Sequence, residues 1–237
     1  MLLWDNGPEF EQAENFKLGT DSVLLAAFAE TRSYKRGIDL GCGSGILPLL
    51  IMERSAGISM TGLEIDPAAA ETARHNMAIN GLDGRSDIVT GDIKNCRELF
   101  KPGEFDFVIS NPPYFAEGSG KRALGGARAA ARGETMCSLH DVCLAAKFLC
   151  RSAGSFNIVH RADRLADVIC LMRETGFEPK RLRLIAHAPD KPPSLFLLEA
   201  RRDGSPGLTV LPGLYITNGS GAYSEEIKRI YHREDEP

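Results

Sequence analysis

Short apolar runs recur along this chain, and most of them stop at a turn and give way to a helical stretch. Ile38-Asp39-Leu40 closes the first run and enters a glycine-rich turn, after which Ile46-Leu47-Pro48-Leu49-Leu50-Ile51-Met52 reads as a helix. A second strand is predicted over Ser59–Ile65. Asp66-Pro67 then supplies an N-cap and a first-turn proline for a helix through Ala68–Asn80 that stops at Gly81. Strands follow at Asp87–Thr90 and Phe105–Ser110. After a loop to about Glu134 come a helix from roughly Ser138 to Cys150, a strand at Ser155–His160 and a helix over Ala162–Thr175 that stops at Gly176. Ahead of all of these, a short N-terminal segment leads into a helix over Asp21–Glu30, with Thr20 or Asp21 as its cap.

Alternating strand and helix predicts a parallel sheet with helices on both faces. The last two strands, Arg181–His187 and Leu195–Ala200, are joined by a connector containing Pro189, Pro192 and Pro193. That connector is too short for a crossover helix, so the pair is predicted antiparallel. The expected fold class is α/β: a seven-stranded, mostly parallel sheet with a terminal antiparallel hairpin, in a single domain over residues 1–237. With 43% apolar residues in 237, the chain can bury a full core. No apolar run approaches ~18 residues, so no membrane span is expected. The start, Met-Leu-Leu-Trp-Asp-Asn-Gly-Pro-Glu, lacks a basic region leading into an apolar core, so no signal peptide is read. Cysteines stand at 42, 96, 137, 143, 150 and 170 without a C-x-x-C pair, which leaves no metal-ligand spacing. Cys143 and Cys150 are expected on one face of a helix as small core residues.

The strand ends carry the chemistry. Gly41, Gly43 and Gly45 permit positive φ and close backbone approach to a ligand, with a helix N-terminus behind them. The spacing is not G-x-G-x-x-G and no Lys-Ser/Thr follows, which argues against a phosphate-cradling loop. Glu64 ends the next run about 20 residues on, where nucleoside-binding α/β folds place a carboxylate on ribose hydroxyls. Gly91-Asp92 ends the third run and Asn111-Pro112-Pro113-Tyr114 the fourth. Asp39, Glu64, Asp92 and Asn111 are therefore expected along one edge of the sheet. The two prolines stiffen the last loop. A planar amino group suits it: the Asn111 side-chain oxygen and the Pro112 carbonyl accept its two hydrogens while Tyr114 covers the ring face.

Taken together, Asp39-x-Gly41-x-Gly43-x-Gly45, Glu64, Asp92 and Asn111-Pro-Pro-Tyr114 resemble the motif set of class I S-adenosylmethionine-dependent amino-methyltransferases, a Rossmann-like fold. Phe16-Lys17-Leu18-Gly19-Thr20-Asp21-Ser22-Val23-Leu24-Leu25, His160-Arg161-Ala162-Asp163-Arg164-Leu165, Glu178-Pro179-Lys180-Arg181-Leu182 and Pro206-Gly207-Leu208 narrow the resemblance to the bacterial tRNA(Val) adenine-N6-methyltransferase family, over about Phe16 to Tyr223. The resemblance implies a cytoplasmic enzyme that methylates N6 of an adenine in tRNA beside the anticodon, uses S-adenosylmethionine, releases S-adenosylhomocysteine and needs no metal. A monomer is favoured. It implies catalytic roles for Asn111, Pro112 and Tyr114. Cofactor binding is implied for Lys17, Thr20, Asp39, Gly41, Gly43, Gly45, Glu64, Asp92 and Asn111, with residues 1–35 contributing to that site. Where the family usually has Ala-Arg-His-Glu, this chain has Ala131-Arg132-Gly133-Glu134, so the histidine's part is not carried over.

Charge changes the picture only locally. The net charge is −4, but residues 1–100 hold 9 basic against 15 acidic residues and residues 101–237 hold 19 against 17. Lys121, Arg122, Arg128 and Arg132 lie within twelve positions free of acids. An acidic protein can bind RNA through one such face; residues 118–134 are expected to be a flexible substrate loop whose Lys121, Arg122, Arg128 and Arg132 meet tRNA, together with Pro113 and Tyr114 ahead of it. Lys180, Arg181 and Arg183 form a second basic cluster. Two other classes share these features. A protein-glutamine N5-methyltransferase would need a helical N-terminal domain, for which about 35 residues leave no room, and a DNA amino-methyltransferase would usually bring a separate target-recognition domain. A non-catalytic RNA-binding protein on this fold would not be expected to keep the glycine turn, Glu64, Asp92 and Asn111 intact.

Overall fold

A computed structural model describes residues 1–13, 19–31, 33–112 and 137–232. Among these, one nine-stranded sheet forms the middle layer. Its strands are β1 (Arg36–Leu40), β2 (Ser59–Glu64), β3 (Ser86–Thr90), β4 (Phe105–Ser110), β5 (Cys150–Arg161), β6 (Phe177–Ala186), β7 (Leu195–Arg202), β8 (Thr209–Val210) and β9 (Leu214–Tyr215). The order is β3-β2-β1-β4-β5-β7-β6-β8, with β9 also paired to β6. Pairings from β3 through β5 are parallel, and β7 runs antiparallel to both β5 and β6.

The helices are α1 (Thr20–Phe28), α2 (Ile46–Arg54), α3 (Pro67–Ile79), α4 (Cys96–Leu99), α5 (Leu139–Leu149), α6 (Leu165–Glu174) and α7 (Glu225–Ile230). Two buried clusters sandwich the sheet. On one face α1, α2, α3 and Ile227 of α7 pack with Phe107 and Ile109. On the other, Cys96, Val142, Leu149, Val168 and Met172 pack with Ile38, Leu40 and Val108. Strands covered on both sides must be apolar almost throughout, which is why β4 buries all of its residues except Asp106. No described helix is long and apolar enough to cross a membrane.

The seven expected strands are all present, and local signals place most boundaries. Asp66 accepts the Ala68 N–H at 2.9 Å with Pro67 in the first turn. Gly176, at φ 85, follows α6. Some expectations need correction. The sheet gains β8 and β9, two-residue strands too short to signal themselves in sequence, which pair parallel with β6. Helix α1 is capped by Gly19 rather than Thr20 or Asp21, and no side chain caps it. Cys143 and Cys150 are both buried, but Cys150 opens β5 instead of closing a helix. The second basic cluster is spent inside the chain. Arg181 pairs with Glu199 at 2.8 Å and Glu30 at 3.1 Å, Arg183 grips both oxygens of Glu226, and Lys180 meets the Ser205 carbonyl.

Candidate active site

The sheet order sets Asp92, Glu64, Asp39 and Asn111 side by side along the C-terminal edge of β3, β2, β1 and β4. The order reverses between β1 and β4, which is where open α/β sheets leave a crevice for ligands.

The glycine turn between β1 and α2 lies at the centre of this edge. Gly41, Gly43 and Gly45 have φ of 79°, 54° and 83°, values that a side chain would strain. The N–H groups of Gly41 and Cys42 both donate to the Leu63 carbonyl, at 2.8 and 3.2 Å, folding the turn back onto β2. A Cβ at Gly41 would meet nothing within 4 Å, so this backbone is open to a ligand. Beneath the turn, a Cβ on Gly62 would lie 2.6 Å from Cys42 Sγ; the bare glycine in β2 lets the turn settle.

Glu64 ties the turn down. Its side chain accepts the Gly43 N–H at 2.7 Å on one oxygen and the Asp66 N–H at 2.9 Å on the other, in a residue only 6% exposed. Each carboxylate oxygen has a second lone pair, so these bonds are compatible with hydroxyl ligands. Ile65, between Glu64 and Asp66, leaves its side chain 63% exposed on the same edge, an apolar wall that the sequence reading passed over.

Asp39 is 1% exposed, and neither carboxylate oxygen has a hydrogen-bond partner among the described residues. Burial first, and then the neighbouring Glu64 charge, push its pKa well above the usual carboxylate range. Such a group is matched by a cationic ligand. The folded carboxyl therefore holds its proton more tightly than the unfolded chain's. Wild-type stability from this residue is full below the unfolded carboxylate range and is lost as pH rises through the raised folded value. Asp39→Asn should raise the thermal midpoint of the free protein by several degrees, with a larger gain at about pH 8 than at about pH 5. An unchanged or lowered midpoint in calorimetry at both values would refute this account.

At the β3 end, Asp92 caps a 3-10 turn over Ile93–Asn95. One oxygen accepts the Lys94 N–H at 2.9 Å, and the other lies 3.4 Å from the Lys94 ammonium. At the β4 end, Ser110 donates to the Leu40 carbonyl at 2.7 Å, locking the strand against β1. The Asn111 amide nitrogen donates to Ser22 Oγ at 3.0 Å across 89 residues of sequence, and Pro112 is buried. Ser22 lies on α1, two residues after the exposed Thr20, and is itself 7% exposed. No local signal in the sequence points to this contact. Lys17, Pro113, Tyr114, Lys121, Arg122, Arg128 and Arg132, with the whole of the proposed substrate loop, lie outside the described residues.

The chain's start also reaches this edge. Asn76 exchanges both amide hydrogen bonds with Glu11 (2.8 Å each) and donates to the Ser44 carbonyl at 2.8 Å, while Ser44 Oγ accepts the Ala13 N–H at 3.0 Å. Asn80 repeats the exchange with Glu9. Among the described residues no group of three or more metal-ligating side chains forms. Burial pushes the Cys143 and Cys150 thiols up to about 12 and Cys137 to about 11, so these three stay protonated and unreactive at neutral pH.

Comparison with known proteins gives the family and the fold. The methyltransferase small domain profile matches residues 13–131. A curated protein of Yersinia pestis (strain Pestoides F), named tRNA1(Val) (adenine(37)-N6)-methyltransferase, is 34% identical over 216 residues, covering 90% of this chain and 85% of that protein. A crystal structure from Agrobacterium tumefaciens, described as a predicted O-methyltransferase, superposes with a TM-score of 0.73 at 21% identity, covering 91% of this chain and 97% of that one. A geranyl diphosphate methyltransferase solved in complex with S-adenosylmethionine superposes with a TM-score of 0.54 at 13% identity, over 76% and 84% of the two chains. At these identities the two structures speak for the fold.

Proposed function

The chain belongs to the methyltransferase small domain family and, within it, to the tRNA1(Val) adenine-N6-methyltransferases, and from that premise we propose that it methylates N6 of an adenine beside the anticodon of a tRNA. The observation that carries the reading is the Asn111 carboxamide, set at the end of β4 on the same edge as the glycine turn, with its nitrogen end engaged by Ser22.

S-adenosylmethionine, when bound, supplies an electrophilic methyl on its sulfonium. The residues present suit it: the Asp39 carboxylate, without a partner among the described residues, matches the amino-acid ammonium and the open Gly41 backbone lets that end approach. Thr20 and Lys17 close the same end, Glu64 takes the ribose hydroxyls, Ile65 covers the purine and Asp92 accepts from its amine.

The N6 lone pair of adenine is delocalised into the ring, which makes the amine a poor nucleophile. Asn111 Oδ1 and the Pro112 carbonyl accept its two hydrogens, draw the nitrogen toward tetrahedral geometry and stabilise the positive charge that grows during transfer. The dipoles are already oriented, so little reorganisation is needed. Tyr114 stacks on the target base once it has left its neighbours, and Arg128 and Arg132, with Lys121 and Arg122, contact tRNA phosphates. Transfer needs no strong general base, since the methylated amine loses its proton readily.

Incubation with labelled S-adenosylmethionine and total tRNA from a methylase-deficient strain tests the function. Nucleoside mass spectrometry should find the label in N6-methyladenosine; label only in protein glutamine would overturn the reading.

Ser22 enters this mechanism as a positioning residue. Its hydroxyl holds the nitrogen end of the carboxamide and so fixes which end presents oxygen. Ser22→Ala should lower kcat roughly tenfold with little change in cofactor affinity, and Ser22→Thr should restore most of the loss. Equal kcat for the wild type and Ser22→Ala would remove Ser22 from the mechanism.

A further inference from the structure

A pocket of about 760 Å³ opens at the other edge of the sheet. That volume lies within the roughly 300–1,000 Å³ of small-molecule sites. In its wall, Tyr34 leads into β1, Arg151 and Ala153 stand near the start of β5, and Arg201 stands near the end of the antiparallel β7. α1 and α2 end here too, which brings in Glu30, Thr31, Arg54 and Ser55. The glycine turn and Asn111 lie beyond the far ends of the same strands. That is roughly 15 Å away, the five residues of β1 at about 3.3 Å each. The pocket is therefore separate from the site where cofactor and target base are expected.

Most charges around it are answered. Arg151 is held by Asp106 at 2.6 Å, Arg201 stands 4.0 Å from Glu199, and Glu30 meets Arg181 at 3.1 Å. Arg54 is different. Among the described residues it pairs with no carboxylate, and its hydrogen bond is to the Ala29 carbonyl, at 3.5 Å. The carbonyl ends of α1 and α2 favour a cation here, but a guanidinium has five N–H donors, and most of these remain open to a ligand. Hydroxyls line the same space. Thr31 Oγ1 and Ser55 Oγ are 3.4 Å apart, and Ser33 is exposed. Tyr34, 7% exposed, stacks on Phe107, and its buried phenol oxygen has no hydrogen-bond partner among the described residues. A buried hydroxyl left unpaired is costly, and an acceptor supplied by a ligand would relieve it.

We propose that this pocket binds the phosphate group of a small molecule. The Arg54 fork takes two phosphate oxygens, and the hydroxyls of Thr31, Ser33, Ser55 and Tyr34 donate to the others. One cation with several neutral donors suits an anion of three or four acceptor oxygens better than a carboxylate with two. The lining presents no open aromatic face, since the Tyr34 ring is buried against Phe107, so the site selects for phosphate and not for a stacked base.

Calorimetry and thermal melts on the full chain, with the cofactor site filled by S-adenosylmethionine, test the proposal. The probe is inorganic phosphate, compared with chloride at equal ionic strength. Phosphate should bind the wild type and raise its midpoint beyond the chloride control. Arg54→Gln should weaken phosphate binding at least about tenfold. Tyr34→Phe should weaken it roughly threefold and, without phosphate, melt no lower than the wild type, because the hydroxyl it loses has no partner there. No phosphate effect beyond that of chloride, or equal phosphate affinity in the wild type and Arg54→Gln, would overturn the proposal. Binding of tRNA separates the two sources of phosphate. The pocket faces away from the target base, so Arg54→Gln should leave tRNA affinity and its salt dependence unchanged. A slope of log K against log salt reduced by nearly one would assign the pocket to an RNA phosphate and refute the small molecule. None of these readouts uses methylation, so failure of the proposed function would leave the pocket standing.

Discussion

Asn111→Ala should cut kcat by about 10²-fold to 10³-fold or more while leaving the cofactor dissociation constant nearly unchanged. The magnitude follows from removing one preorganised dipole that acts only where charge develops, and losing the carboxamide also leaves Ser22 without this partner. Stability should fall little, because Ser110 still locks β4 to β1 and Pro112 is itself buried. Single-turnover methylation, isothermal calorimetry with the cofactor and a thermal melt on the same preparation would measure the three quantities together. A variant that melts early and loses cofactor would make Asn111 a structural turn residue and remove it from the chemistry.

Glu64→Ala should strike both ends of the problem at once. Two backbone N–H groups, those of Gly43 and Asp66, lose a buried anionic acceptor. Hydrogen bonds to charged groups contribute about 1.5–3 kcal/mol each, so stability should fall by on the order of 3 kcal/mol. The glycine turn, no longer tied, should bind cofactor at least about tenfold more weakly. Glu64→Gln keeps one oxygen for one of the two N–H groups and should fall between the alanine variant and the wild type. Chemical denaturation and calorimetry would measure both losses. A normal dissociation constant in Glu64→Ala would move the ribose contact elsewhere, although Asp66 already spends an oxygen capping α3.

What could be read from the sequence was what neighbouring residues decide. Asp66-Pro67 announces the start of α3, Gly176 the end of α6, and the Phe105–Ser110 run a strand buried on both faces. The alignment of Asp39, Glu64, Asp92 and Asn111 followed because parallel strands present equivalent ends on one edge. Contacts made by distant segments left no such trace. Nothing near Ser22 says that it will meet Asn111, and nothing near Glu64 says that its first partners are backbone amides. The charges of Arg181 and Arg183 suggest RNA when counted along the chain, but the fold brings Glu199 and Glu226 to them. β8 and β9 exist because β6 offers an edge, and two residues hold too little pattern to reveal it.

The way α3 grips the chain's first stretch decides where that stretch can vary. Asn76 and Asn80 read only the peptide groups of residues 9 and 11, whose own side chains remain exposed. Mutational tolerance is thereby separated from contact. Drift at Glu9 and Glu11 should be cheap, whereas positions 76 and 80 must keep a carboxamide, since only that group donates and accepts with one planar end. Aspartate at either site would set an anion against a carbonyl. The selective burden of keeping the N-terminal segment in place thus falls on a helix some sixty-five residues downstream.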